Sequence, residues 1–216
     1  KRRIDLGMFN NIVLDEVDRM LDMGFVHDIA LIISKLRKQK QSLFFSATMN
    51  SKIEEIARSF LDNPVKVHVE ERSLQRNVDQ NVVIVPQDQK LDKLHELLLN
   101  KHEFRKVLIF SRTKWGSDKL SKKLAVKGFN VESIHGGKTQ SRREKVIMKF
   151  RQGAIDILVA TDVAARGLDI DDITHVINFD EPGTYNDYVH RIGRTGRAGK
   201  KGNALTFVSR KEVTYP

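Results

Sequence analysis

Three arginines recur at intervals of three residues in the segment 190–197, which reads His-Arg-Ile-Gly-Arg-Thr-Gly-Arg. Each guanidinium group presents a planar set of donors that matches a phosphate, and the small residues between them let the backbone approach a partner closely. If a helix runs through the segment, His190, Arg194 and Arg197 lie on one face. The opposite face would then carry a buried apolar stripe: Tyr185, Tyr188, Val189 and Ile192. The pattern indicates a surface that faces an anionic group, although a solvated basic surface has the same composition.

Three carboxylates stand within four residues at the end of a short apolar run, 12–14. Such a run is typical of a buried strand in a parallel sheet, and ligands bind beyond the carboxyl ends of such strands. Asp15, Glu16 and Asp18 therefore suggest a cation site or a general base. Mg²⁺ suits such a site beside phosphate, because it keeps most of its waters and needs only one or two carboxylates. The alternative is an acidic turn that caps the following helix.

Further segments combine an apolar run with polar residues at its end, and together with the two segments above they follow a fixed order: 15–18, 46–48, 107–113, 161–169 and 190–197. In this order they resemble motifs II, III, IV, V and VI of the DEAD-box family of ATP-dependent RNA helicases, within superfamily 2. Gln140 and Arg143 match a further motif between IV and V. The resemblance runs from about Asp5 to Phe207, and His190-Arg191 in motif VI favours the DEAD branch over the DEAH branch.

The resemblance implies two RecA-like domains that close on ATP and on one strand of RNA, so that hydrolysis acts as a switch. It makes Glu16 the residue that orients or deprotonates the attacking water, and it makes Asp15 the ligand that holds Mg²⁺ through water molecules. Arg194 and Arg197 are implied to be arginine fingers on the γ-phosphate. The ATP-binding residues implied are Gly167, Asp169 (through the ribose hydroxyls), Arg194 and Arg197.

The resemblance also implies which residues meet RNA and which couple the two domains. The expected RNA-binding residues are Thr113, Lys114, Gly137, Gln140, Arg143, Thr161 and Arg166. None of these is aromatic, so we expect binding that tolerates any sequence and weakens with salt. The expected coupling residues are Asp18, Ser46, Thr48, His190 and Arg191, of which Ser46 and Thr48 would also suit helix capping. Trp115 is expected to pack in the core or at a helix start rather than to stack on a base.

Composition limits the class of protein. The chain has 38 basic and 28 acidic residues and a formal net charge of +10. Beyond Val69 the counts are 27 and 19, so the basicity concentrates in the second part, as expected if that part holds a polyanion. The absence of cysteine excludes disulfides and thiolate metal sites and fits a reducing cytoplasm. No apolar run reaches the roughly 18 residues that a membrane helix needs. We expect a cytoplasmic monomer whose partners are RNA, as a single strand or short duplex, and protein cofactors.

Alternating strand and helix patterns predict an α/β fold with a RecA-like, doubly wound parallel sheet. We expect 1–69 to be the C-terminal half of a first RecA-like domain, 70–79 a linker, and 80–216 a complete second domain. The predicted strands are 11–15, 42–46, 65–69, 81–85, 107–111, 131–135, 156–160, 175–179 and 203–208. The predicted helices are 29–36, 52–61, 91–99, 117–126 and 141–151.

The sequence contains no phosphate-binding loop of the form G-x-x-x-x-G-K-[ST]. Gly136-Gly137-Lys138-Thr139 comes closest, but Glu132 occupies the place of the first glycine and would repel phosphate. Since the family's loop precedes motif II, we expect a piece of a longer protein that begins midway through its first domain and does not turn over ATP by itself.

The alternative is a non-catalytic RNA-binding or protein-interaction module, with a DNA translocase less favoured. Val17 replaces the alanine of the family's name, and we expect it to face the interdomain cleft.

Overall fold

The computed structural model describes residues 4–37, 40–49, 51–68, 77–165, 168, 170, 172–197 and 199–209. The chain divides into two compact units, Lys1–Val69 and Glu70–Pro216, which we call the first and the second unit. Most of the predicted linker lies outside the described residues. None of the helices within the described ranges has the length and apolar character needed to cross a membrane.

The first unit pairs two parallel strands, β1 (Asn11–Leu14) and β2 (Gln41–Phe44), with Asn11 opposite Gln41. Between and after them lie the helices α1 (Val17–Asp22), α2 (Val26–Ser34) and α3 (Ser51–Phe60). Leu14 and Phe44 on one face of the sheet pack against a small core formed by Val17, Leu21 and Ile53. Val13 and Leu43 on the other face are exposed. Sequence patterns predicted both strands, α2 and α3, but not α1.

The strand predicted over 65–69 is wrong where the structure describes it. Residues 65–68 adopt no regular structure, and Val65 and Val67 are 90% and 81% exposed. Alternating β-branched residues fit a pleated strand only when one face of that strand packs against something. Here neither Val65 nor Val67 is buried, so the segment has no packing contacts that would stabilise it as a strand.

The second unit is built on six parallel strands in the order β3-β8-β7-β4-β6-β5. The strands are β3 (Val78–Ile84), β4 (Val107–Phe110), β5 (Val131–Ile134), β6 (Ile157–Ala160), β7 (His175–Asn178) and β8 (Gly202–Val208). The helices are α4 (Lys90–Leu98), α5 (Lys114–Val126), α6 (Gln140–Arg151), α7 (Asp162–Ala165) and α8 (Tyr185–Ile192). All six strands lie within a few residues of their predicted positions.

Helices cover both faces of this sheet, which confirms the doubly wound α/β fold. Along β4, Leu108 and Phe110 point into a core shared with α6, whereas Val107 and Ile109 point into a core shared with α4 and α5. The central strands β4, β6 and β7 are buried along their whole length, as their continuous apolar runs predict. Their carboxyl ends therefore open at one edge of the sheet, where polar segments follow each strand.

Candidate functional site

The turn after β1 carries the carboxylates predicted to serve ATP hydrolysis. Asp15 is exposed, and its Oδ1 accepts a hydrogen bond of 2.9 Å from the Glu16 N–H. Glu16 is half-buried and has left-handed backbone angles (φ 51°, ψ 46°), which are uncommon for a residue other than glycine. The Val17 N–H anchors the turn by donating to the Phe45 carbonyl at 3.1 Å. Strain of this kind concentrates at functional sites, and here it places two adjacent carboxylates beyond the strand end.

These carboxylates suit a hydrated Mg²⁺ better than a bare one. The described part of the chain holds no group of three or more histidine, aspartate or glutamate side chains that would enclose a metal ion. One exposed carboxylate, that of Asp15, with a second beside it is the donor set through which Mg²⁺ binds while keeping its waters. The residues present therefore fit the magnesium site that the sequence predicts.

Asp18 ties the segment after β1 to the segment after β2. Its carboxylate is buried; Oδ2 accepts hydrogen bonds from the Thr48 N–H at 3.0 Å and from Thr48 Oγ1 at 3.1 Å, and Oδ1 accepts one from the Arg19 N–H at 3.0 Å. Ser46 Oγ in turn donates to the Thr48 carbonyl at 2.7 Å. Three residues predicted to couple the two domains thus form one network inside the first unit, while their coupling role stays a prediction.

Val17 does not face a cleft, and that expectation is wrong. Its side chain is fully buried and packs with Leu21 and Ile53 in the core of the first unit. The reason is local: residue 17 opens α1, and the first turn of that helix lies directly over α3. The two methyl groups that valine adds over alanine fill core volume.

Arg191 joins the ends of β6 and β7 in the second unit, and Asp180 extends this junction to the end of β4. Its Nε and Nη2 donate to the two carboxylate oxygens of Asp162 at 2.6 and 2.9 Å, in the bidentate geometry typical of strong arginine–carboxylate pairs. Nη1 donates to Asn178 Oδ1 at 3.2 Å and to the Asp180 carbonyl at 2.7 Å. The Asp180 carboxylate accepts from Ser111 Oγ and from the Arg112 N–H. Motifs IV, V and VI therefore meet at one edge of the sheet.

Arg194 and Arg197 lie beyond the helix that was expected to carry them. Helix α8 ends at Ile192 with Gly193 as its C-cap, and further along the chain Gly196 has a positive φ of 69°. Arg194 Nη1 donates to the Leu168 carbonyl at 3.1 Å, and Arg197 Nε donates to the Gly193 carbonyl at 2.8 Å. The two predicted fingers thus approach motif V within the second unit.

The other face of α8 is only partly as expected. Ile192 is buried and Tyr188 and Val189 are half-buried, but Tyr185 is 68% exposed, so the predicted buried stripe is wrong at its first position. Tyr188 donates from its hydroxyl to Gln80 Oε1 on β3 at 2.7 Å. His190, predicted to take part in coupling, is half-buried.

Two predicted RNA contacts lie at the start of α5. Thr113 caps the helix by accepting a hydrogen bond from the Gly116 N–H at 2.9 Å. Gly116 is required there, since a Cβ would stand 2.8 Å from Ser111 Oγ. Lys114 is exposed and runs alongside the turn at Gly136 and Gly137, with its Cδ 3.6 Å from the point that a Cβ on Gly137 would occupy.

Trp115, the next residue, is 71% exposed. The expectation that it packs in the core or at the helix start is therefore wrong. Residues 117, 120, 121 and 124 supply the buried side of α5, which leaves position 115 on the solvent side. The Lys119 ammonium lies 4.5 Å from the centroid of the indole ring.

The Gly136–Gly137 turn is positioned by a polar network that sequence reasoning missed. His135 Nδ1 accepts a hydrogen bond from the Gly137 N–H at 3.1 Å, and His135 Nε2 lies 3.0 Å from Asp118 Oδ2. Ser133 Oγ donates to Asp118 Oδ1, and Lys138 Nζ donates to Ser133 Oγ at 2.8 Å. Burial alone would raise the pKa of Asp118, but hydrogen bonds from Ser133 and His135 outweigh it and hold the pKa below its usual value. Lys138 is thus turned inward, unlike the lysine of a phosphate-binding loop.

The remaining RNA candidates lie on two elements. Gln140 and Arg143 are bonded to each other on the first turn of α6 through Arg143 Nη1 and Gln140 Oε1 at 3.2 Å. Thr161 is buried at the end of β6, and its carbonyl accepts hydrogen bonds from the N–H groups of Ala164 and Ala165, the last two residues of α7. Arg166, Gly167 and Asp169 lie outside the described residues.

Asp180 and Lys90 are further site residues that the sequence analysis overlooked. Lys90 is buried and donates to the Phe179 carbonyl at 3.2 Å, and burial lowers its pKa although Asp180 and Glu181 oppose the shift. The signal for Asp180 was present: it follows an apolar strand directly, as Asp15 does. The sequence around Lys90 does not indicate a buried side chain, because a single lysine at the start of a helix is usually exposed to solvent.

A doubly wound parallel sheet with arginine, carboxylate and hydroxyl groups at its carboxyl edge defines an α/β protein of the class that binds phosphorylated ligands at that edge. Residues 1–56 match the DEAD/DEAH box helicase family, and residues 89–199 match the helicase conserved C-terminal domain. The chain therefore belongs to the DEAD-box family of helicases, which confirms the resemblance read from its motifs.

Curated relatives and solved structures agree with this assignment. The DEAD-box ATP-dependent RNA helicase CshA of Bacillus licheniformis is 47% identical over 215 residues, covering 98% of this chain and 44% of the relative. DEAD-box ATP-dependent RNA helicase 20 of Arabidopsis thaliana is 45% identical over 216 residues, covering 95% and 43%. The chain thus spans less than half the length of these relatives.

Two solved structures show the same fold. A DEAD box protein from Methanococcus jannaschii aligns with a TM-score of 0.60 and 40% identity over 96% of this chain and 56% of that one. Saccharomyces cerevisiae Dbp5 bound to RNA and ADP BeF3 aligns with a TM-score of 0.82 and 32% identity over 95% and 55%.

Proposed function

We propose that this chain is part of an ATP-dependent RNA helicase, which separates short RNA duplexes locally by coupling RNA binding to ATP hydrolysis. The observation that carries the proposal is the junction of motifs IV, V and VI around Arg191, Asp162 and Asp180 at one sheet edge. Membership of the DEAD-box family supports it, as does the similarity to Dbp5, which was solved with RNA and a nucleotide analogue.

In this proposal the ATP chemistry is divided between the two units. Glu16 orients or deprotonates the water that attacks the γ-phosphate. Asp15 would hold Mg²⁺ through its waters, and the bound ion would supply positive charge beside the phosphates. Arg194 and Arg197 stabilise the charge that develops on the γ-phosphate, a contribution worth roughly 10³–10⁵ in rate in other phosphoryl-transfer enzymes. Gly167 and Asp169 contact the nucleotide. Asp18, Ser46, Thr48, His190 and Arg191 make the activity depend on both units.

RNA binding is assigned to the second unit. Thr113, Lys114 and Gly137 lie next to one another, and Gln140 and Arg143 follow on α6. Hydroxyl, amide and ammonium groups of this kind contact phosphates and 2′-hydroxyls, which carry no base identity. We therefore propose sequence-tolerant binding by these residues together with Thr161 and Arg166.

The proposed domain assignment follows the sequence analysis. Residues 1–69 form the C-terminal half of a RecA-like domain, 70–79 a linker, and 80–216 a second RecA-like domain. We place the protein in the cytoplasm, because its cysteine-free, basic sequence suits a reducing compartment rich in RNA. We expect it to be a monomer. Since these 216 residues hold no phosphate-binding loop, we expect them to bind RNA and to leave ATP unhydrolysed.

Strand separation by the product of the full reading frame tests the proposal. Glu16→Gln removes the proposed base while keeping the size of the side chain, so ATP hydrolysis and duplex separation should both be lost while RNA affinity is retained. Glu55→Gln, an exposed position on α3, is the matched control and should retain full activity. An intact ATPase rate in Glu16→Gln, or strand separation that needs no ATP, would contradict the proposal.

A further inference from the structure

Trp115 has no role in the RNA contacts proposed above. It is the only tryptophan of the chain, it is 71% exposed, and it stands on the first turn of α5 directly after Lys114. Tryptophan side chains are largely buried on average, because their apolar area is large. An exposed indole beside a proposed phosphate contact therefore points to a binding role.

The surroundings of the indole ring are cationic. Lys119 Nζ lies 4.5 Å from its centroid, and Lys119 and Lys122 are exposed at four and seven residues from Trp115, on the same face of α5. The helix carries four lysines and one acidic residue. That residue, Asp118, is directed at Ser133 and His135. The charge around the ring is therefore not balanced by acids of the same helix.

A flat aromatic face among cations matches single-stranded nucleic acid, which offers both phosphates and unpaired bases. Unpaired bases stack on aromatic side chains, and such stacking tolerates any base because every base has a π-face. An apolar protein partner would instead favour an anchor surrounded by uncharged residues, since the cores of protein interfaces are depleted of charge.

We propose that Trp115 is a stacking platform for one base of a single-stranded RNA whose backbone passes Lys114 and the Gly136–Gly137 turn. Lys114 connects the two parts of this site, because its side chain runs beside that turn while its backbone is adjacent to Trp115. The stacked base adds affinity to the phosphate contacts. The inference deepens the proposed function and rests on it.

Fluorescence of the single tryptophan measures this contact directly. The 216-residue chain is titrated with oligouridylate and with an abasic oligomer of the same length, while a label on the oligomer reports binding by anisotropy. Oligouridylate should quench Trp115 emission with the same midpoint as the anisotropy change. The abasic oligomer should bind through its phosphates without that quenching.

Variants separate stacking from general effects on the fold. Trp115→Ala should weaken oligouridylate binding by about tenfold and leave abasic binding unchanged, whereas Trp115→Phe should restore most of the affinity. Val126→Ala, at the exposed far end of α5, is the control and should change neither.

The outcomes distinguish the two proposals. Binding of oligouridylate without quenching, or an equal loss of affinity for both oligomers in Trp115→Ala, overturns the stacking role while RNA binding stands. Absence of binding by either oligomer overturns the RNA assignment of the second unit, and the stacking role with it.

Discussion

Arg191 shows how one residue can hold a site together. Its guanidinium group is buried and donates hydrogen bonds to the Asp162 carboxylate, to the Asn178 side chain and to the Asp180 carbonyl. Its planar fork can serve several acceptors at once, which a lysine in this place could not do. Arg191 thus holds the ends of β6 and β7 together within the second unit, and its proposed role in coupling the two units stays a prediction.

Replacing Arg191 with glutamine should lower the free energy of unfolding by about 3 kcal/mol, because Asp162 and the Asp180 carbonyl then lose their buried donor. In the double variant with Asp162→Asn, part of that loss should be recovered. Arg105→Gln, exposed in the same unit, should stay within about 0.5 kcal/mol of the wild type. Chemical denaturation followed by circular dichroism measures all four proteins. Equal losses in the Arg191 and Arg105 variants would contradict this reading.

His175 predicts a pH dependence of stability. Burial lowers its pKa below 6.5, with Glu103 opposing the shift only in part, and its ring stacks on Phe104 at 4.1 Å. As the pH falls, the imidazole of His175 is protonated in the unfolded chain before it is protonated in the folded protein. The stabilisation that the buried, neutral ring provides is therefore complete above pH 6.5 and is lost as the pH falls below that value. The slope reaches at most about 1.4 kcal/mol per pH unit.

The measurement compares unfolding free energies at several pH values for the wild type and for His175→Phe, which keeps the stacked ring but cannot titrate. The variant should show a shallower loss of stability in acid. His102→Phe, exposed in the turn after α4, should follow the wild type. The same acid dependence in wild type and His175→Phe would refute the assignment.

Among the secondary-structure elements, the sequence predicts those whose position follows from the pattern of apolar and polar residues within the segment itself. The strands β4, β6 and β7 were placed correctly, because an apolar run followed by polar residues is typical of a buried parallel strand whose end opens at a ligand edge. The same rule located Asp15, Ser46, Thr161 and the motif IV hydroxyls. Order and spacing of these segments were enough to identify the family.

The features that could not be predicted from the sequence depend on contacts between residues that are distant along the chain. Val65 and Val67 in the strand predicted over 65–69 have no surface to pack on, and α8 ends at Gly193, before Arg194 and Arg197. The exposure of Trp115 follows from which residues of α5 face the sheet, and a single aromatic residue does not reveal that. The Asp118–His135 network joins a helix to a strand end, so no local pattern reports it.

Helix α1 offers a test of the packing that places the acidic turn. Val17→Ala should cost about 1–3 kcal/mol of local stability, since two buried methyl groups are removed from the core shared with Leu21 and Ile53. Amide hydrogen exchange in peptides from α1 and α3 should accelerate accordingly. Val65→Ala removes the same atoms from an exposed position and should change nothing. Unchanged exchange in Val17→Ala would show that the residue is not a core element.

For the whole molecule, the separation of groups between the units is the central feature. The proposed water-activating and magnesium-binding carboxylates belong to the first unit, whereas the proposed arginine fingers and RNA contacts belong to the second, more basic unit. An enzyme with this division hydrolyses ATP only when both units take part. A binding module would use the same arginines for RNA alone.

The decisive measurement is therefore RNA-stimulated ATP hydrolysis by the product of the full reading frame, compared between wild type, Arg194→Ala and Arg105→Ala. Arg105 is exposed and lies two residues before β4, at the amino end of that strand and away from the proposed site at the carboxyl ends, so its variant controls for loss of positive charge. We expect RNA to stimulate hydrolysis, and we expect Arg194→Ala to lose at least about 10³-fold in rate while its RNA affinity stays near that of Arg105→Ala. An Arg194→Ala protein that keeps its ATPase rate and only binds RNA more weakly would show that Arg194 contacts RNA and does not act on the γ-phosphate.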